Sequence, residues 1–104
     1  MYTIIESQLF TNLAKDIWSE DERGEFCAWL VEHPEAGNVI QGSGGCRKVR
    51  WGRAGMGKRG GVRVIYLFKR ADGRILFLTI YAKTVLGNIP AHLLKAIVKE
   101  LENV

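Results

Sequence analysis

The chain has 104 residues, 47% hydrophobic and 25% charged, the size and balance of one compact domain over residues 1–104 that builds its core without disulfides or a metal. No apolar stretch is long enough to cross a bilayer, and the first residues lack the basic start and apolar run of a secretion signal, so the cytoplasm is the expected compartment and a membrane role is excluded. Cys27 and Cys46 lie in separate segments and His33 and His92 stand alone, which gives neither a redox pair nor zinc-ligand spacing; free thiols, no metal and no cofactor are expected.

Tyr2 to Glu6 is short and β-prone, and predicts a strand. Leu9, Leu13 and Ile17, with Phe10, Ala14 and Trp18 beside them, then repeat at helical spacing. Ser19-Glu20-Asp21-Glu22 has the form of a capping box and opens a second helix, whose Phe26, Trp29 and Leu30 face inward and which His33-Pro34 ends. Between Gly37 and Gly61 stand nine of the twelve glycines, interrupted by Cys46 to Trp51, a predicted strand with Lys48 and Arg50 on one face. Val62 to Lys69 and Ile75 to Lys83 are the strongest strands, and Asp72-Gly73 between them predicts a hairpin. After Pro90, Leu93, Leu94, Ile97, Val98 and Leu101 recur at helical spacing. The order β-α-α-β-β-β-α predicts an α+β fold, a mostly antiparallel sheet backed by helices on one face, with the other face free for function.

Charge is segregated along this order. Residues 1–36 hold eight acids and two bases, a net of −6; residues 37–70 hold nine bases and no acid, +9; the rest holds four bases and three acids, +1. The total is +4, with a pI near 9.3. A folded segment with that many cations and no carboxylate repels itself, which points to an anionic partner. The acidic helix faces are ordinary solvated surfaces and imply no paired-acid catalysis.

Two phosphate-loop patterns nearly occur. Gly55 to Gly60 matches G-x-G-x-x-G, and Gly52 to Lys58 matches a P-loop until Arg59 stands where Ser or Thr is needed. Both patterns require a helix after the loop, whereas this one runs into a strand, so a nucleotide cofactor is excluded. What survives is a glycine-rich loop whose Arg53, Lys58 and Arg59 are suited to a phosphate backbone. The more informative set is Lys48 and Arg50 on one strand, Arg63 at the start of the next, and Tyr81 with Lys83 at the end of the last, where alternation lets them converge. Arg63 sits in so apolar a run that its guanidinium needs a partner or a charged ligand. Tyr66, Phe68 and Trp51 suit either the core or base stacking.

Over nearly its whole length the chain resembles the RelE superfamily of bacterial type II toxins, and more closely the HigB branch. The resemblance rests on Asn38 to Arg50, on Gly57-Lys58-Arg59-Gly60-Gly61-Val62-Arg63-Val64-Ile65-Tyr66, and on Leu78-Thr79-Ile80-Tyr81-Ala82-Lys83. It implies a metal-independent endoribonuclease that cuts mRNA in the ribosomal A site, inhibits translation, and is silenced by a cognate antitoxin.

By the family's motif Arg63 would hold the scissile phosphate and its transition-state charge, Lys48 would be the base, and Arg50 would assist with phosphate. Tyr81 and Lys83 are candidates for base stacking or proton transfer, and Arg47, Arg53, Lys58 and Arg59 for gripping messenger or ribosomal RNA. Many relatives carry a catalytic Tyr, His or Arg in the final segment; here that segment offers only His92, and the general acid is unassigned. Two other readings stand beside this one: a non-catalytic module that binds RNA or the ribosome, and a ParE-like gyrase inhibitor of the same fold.

Overall fold

The computed structural model describes residues 2–52, 61–82 and 89–102. Strand β1 (Thr3–Glu6) leads through Ser7 into α1 (Gln8–Ile17), followed by α2 (Glu20–Glu32), the short β2 (Asn38–Val39), β3 (Arg47–Trp51), β4 (Val62–Lys69), β5 (Arg74–Ala82) and α3 (Ala91–Glu102). The sheet order is β1-β5-β4-β3-β2. Every pairing is antiparallel except β1 with β5, which is parallel. The fold is therefore α+β with a mostly antiparallel sheet, as the element order predicts; β2 is an addition too short to show in a hydrophobic pattern.

Local chemistry sets the boundaries. The Ser19 hydroxyl accepts from the Glu22 amide at 3.2 Å while the Glu22 carboxylate accepts from the Ser19 amide at 2.7 Å, the reciprocal bonds of a capping box. The β4–β5 hairpin closes through a turn of 3-10 helix at Arg70–Asp72 and Gly73 at φ 66°, a left-handed conformation natural to glycine. At the other end of β4, Gly61 has φ 62° and a Cβ there would lie 2.0 Å from the Trp51 carbonyl oxygen, so that position requires glycine.

The helices do not share one face, and this corrects the expectation of a free sheet surface. Phe10, Ala14 and Trp18 of the α1 segment and Phe26 and Leu30 of α2 pack with Val49, Val64, Tyr66, Ile75, Phe77 and Ile80. On the opposite face Leu94 and Leu101 of α3 pack with Cys46, Ile65, Leu76, Leu78 and Tyr81. The reason is visible in β5: Ile75 through Tyr81 are all buried, and a strand apolar on both sides needs cover on both. In α1 the inward face is Phe10 and Ala14, while Leu9 and Leu13 are 45% and 37% exposed. Tyr66 is fully buried, its hydroxyl donating to the Pro34 carbonyl at 2.9 Å and accepting from the Gly37 amide at 3.1 Å, so it is a core strut and not a stacking platform.

Beta-sheet alternation breaks once. Ile65 pairs with Thr79 but Tyr66 with Phe77, which leaves Leu78 as an extra residue in β5. The buried Ser7 hydroxyl donates to the Leu78 carbonyl at 2.7 Å and accepts from the Phe10 amide at 2.9 Å, capping α1 and holding the bulge in one stroke. Ser7→Ala is expected to lower stability by about 1–3 kcal/mol, the sum of a lost cap and an orphaned buried carbonyl, measured by denaturant unfolding; a loss within experimental error would remove Ser7 from this role.

Candidate active site

In the paired strands Arg50 of β3 lies opposite Arg63 of β4, and Arg63 opposite Tyr81 of β5. Directly opposed residues project from the same face with Cβ atoms about 4.5–5.5 Å apart, so the three form one row across the sheet, next to its last paired positions. Lys48 is two residues from Arg50 and shares its face, in the adjoining row with Ile65 and Thr79. The structure thus brings Lys48, Arg50, Arg63 and Tyr81 together on the face that α3 covers in part.

The bulge makes this possible. Ile75 and Phe77 face α1 and α2, and uninterrupted alternation would send residue 81 the same way. The extra Leu78 reverses the parity, so Ile80 joins the α1/α2 core and Tyr81 turns to the α3 side. Thr79, buried beside Ile65, is a polar neighbour of the row that the sequence reading did not single out; two-residue spacing from Tyr81 was the available clue.

Exposure grades along the row. Arg50 is exposed, Arg63 half-buried, and Tyr81 only 7% exposed. Burial pushes the Tyr81 phenol above the ordinary tyrosine range, and the positive charge of Arg63 draws it partly back. Like charges directly opposed across strands repel, and Arg50 faces Arg63 in this way. Lys48 and Arg50 have no ion-pair or side-chain hydrogen-bond partner among the described residues. Two guanidinium groups, an amine and a phenol on one patch can bind a phosphodiester, stabilise added negative charge on it and exchange protons with its oxygens.

Other cations of the acid-free segment are engaged within the fold. Lys69 pairs with Glu102 of α3 and, at 3.4 Å, with Asp72; Arg70 lies 3.5 Å from Glu35. Arg47, expected to grip RNA, lies opposite Tyr66 on the α1/α2 face, and its guanidinium donates to the carbonyls of Gly37 at 2.7 Å and Glu35 at 3.1 Å. It closes the loop after α2 from the wrong side of the sheet to join the row. Trp51 also faces that way, 5.3 Å from the rings of Phe26 and Trp29. Lys83, Arg53, Lys58 and Arg59 lie outside the described residues, and His92 is exposed in the first turn of α3. Both cysteines are free, and no cluster of metal-ligating side chains occurs among the described residues.

This architecture is that of the RelE-like fold. Among solved structures the chain is similar to a doubly substituted mutant of the E. coli toxin RelE in its free state, with a TM-score of 0.59 and 16% sequence identity over 96% of this chain and 97% of that one. No protein-family model matches the chain.

The phenol makes the row measurable. In Arg63→Ala the Tyr81 hydroxyl is expected to titrate at still higher pH than in the parent, because the favourable charge of Arg63 on its phenolate is gone. Spectroscopic titration of the tyrosines in both proteins, with Tyr81→Phe to assign the transition, checks the sign; an unmoved or lowered transition would separate the two side chains.

Proposed function

We propose that the chain is the toxin of a type II toxin–antitoxin pair, of the HigB branch: a metal-independent endoribonuclease that cuts mRNA in the ribosomal A site and so inhibits translation. The observation that carries this reading is the Arg50–Arg63–Tyr81 row with Lys48 beside it, set on a RelE-like fold.

Arg63 and Arg50 hold the scissile phosphate, and Lys48 is the candidate base that takes the proton of the ribose 2′-hydroxyl. The 2′-oxygen attacks phosphorus, and the added charge of the phosphorane falls on the two guanidinium groups. The bond to the 5′-oxygen then breaks, leaving a 2′,3′-cyclic phosphate and a 5′-hydroxyl. Tyr81 is the candidate donor of that last proton: its raised pKa keeps the phenol protonated near neutrality, and an alkoxide is far more basic than a phenolate. Since its ring is buried against α3 residues, hydrogen bonding through the hydroxyl is favoured over stacking on a base. The ribosome would supply the substrate alignment that a shallow sheet face lacks, and a cognate antitoxin of complementary charge would keep the basic face from RNA.

Purified protein added to translating ribosomes should cut messages at codon-phased positions with and without EDTA. Arg63→Ala should slow cutting by at least ~10²-fold, the usual cost of removing one transition-state donor. Arg47→Ala should lower the melting temperature yet leave the cutting rate of folded protein nearly intact. Growth arrest without cut messages would instead favour a non-catalytic ribosome-binding module, and a DNA-damage response with normal translation would favour a gyrase inhibitor.

A further inference from the structure

The face that carries the row has a second feature. At the far end of β4 a groove of about 830 Å³ opens between α3 and the sheet, lined by Leu67, Val98, Ser43, Lys95 and Lys99 among others. Lys69 also borders it, but Glu102 and Asp72 neutralise that cation. Lys95 and Lys99 differ: both are exposed, they stand one turn apart on α3, and neither has an ion-pair partner among the described residues. A like-charged pair at that helical spacing is unfavourable in the absence of an anion.

The groove and the row lie on one strip. Arg63, Ile65 and Leu67 alternate onto the same face of β4, and four residues of strand span about 13 Å. Lys48, opposite Ile65 and equally unpartnered among the described residues, stands between the two ends. Cations that no described carboxylate meets, Arg50, Lys48 and the Lys95–Lys99 pair, therefore mark the start, middle and end of a path a few nucleotides long. Flexible lysines act as point charges toward phosphate oxygens and do not discriminate among bases, which suits the passage of any message.

We propose that the groove between α3 and β4 binds the backbone phosphates of the same single-stranded RNA a few nucleotides from the scissile bond, with Lys95 and Lys99 as its cations. This rests on the nuclease reading above and extends it to a second substrate contact remote from the chemistry.

Fluorescence anisotropy with non-cleavable 2′-O-methyl RNA, a trinucleotide and a dodecamer, tests it at low ionic strength. In Lys95→Ala/Lys99→Ala, with folding checked by a melting curve, dodecamer affinity should fall about tenfold, and the logarithmic salt dependence should flatten by about 0.7 for each lysine removed. Trinucleotide binding should not change. Arg50→Ala should weaken both lengths. Unchanged dodecamer affinity and salt slope in the double variant would overturn the groove while leaving the row as an RNA site. Failure of the parent to bind either RNA would overturn both readings. An acidic peptide that displaces the dodecamer only when Lys95 and Lys99 are present, and binds there more tightly than RNA of equal charge, would assign the groove to a protein and also overturn the proposal.

Discussion

One hydroxyl and one extra residue decide which way the last strand faces. Leu78 has no partner on β4, and its carbonyl takes the Ser7 hydroxyl instead. The strand thereby keeps two registers: Ile75 to Phe77 with one alternation, Thr79 to Ala82 with the other. Without this reversal the phenol of Tyr81 would be lost in the core beneath α1 and α2, and Arg50 and Arg63 would face α3 without it. The same hydroxyl caps α1, so the start of the chain and the aim of its candidate acid are fixed by a single buried group.

Much of the fold is legible in the sequence because it is local. The Ser19 capping box, the Asp72-Gly73 turn, the limits of β4 and the end helix after Pro90 all depend on neighbours within a few residues. The division of helices between two faces was present in the unbroken apolar run of β5, but its helical counterpart lies beyond a loop, and no local pattern says which face a later helix will take. The bulge is harder still, since nothing in Leu78-Thr79 marks one residue as unpaired. The candidate site divides in the same way. Lys48 and Arg50 share a face by simple alternation, and that alternation already excludes Arg47. The alignment of Arg63 with both Arg50 and Tyr81 depends on strand register, which the chain settles only in three dimensions.

Charge follows a parallel logic. The acid-free segment draws its counter-ions from outside itself, Glu35 after α2, the nearby Asp72 in the hairpin and Glu102 at the end of α3. Those pairs neutralise Lys69 and Arg70, at one end of the sheet, and the Arg47 guanidinium is taken up by carbonyls. Folding thus sorts a uniform run of cations into some with internal duties and others, Lys48 and Arg50 among them, that no described carboxylate meets. The sequence total of +4 conceals this sorting.

The parallel partnership of β1 with β5 has a bearing on how the protein is made. Thr3 pairs with Arg74 and Glu6 with Phe77, so the first strand waits for nearly three-quarters of the chain before it can dock, and contacts of that separation form late. During synthesis the N-terminal helices leave the exit tunnel long before the strand that completes their sheet. Since the Arg50–Arg63–Tyr81 row also needs β5, it comes together only once Tyr81 has emerged and the sheet has closed.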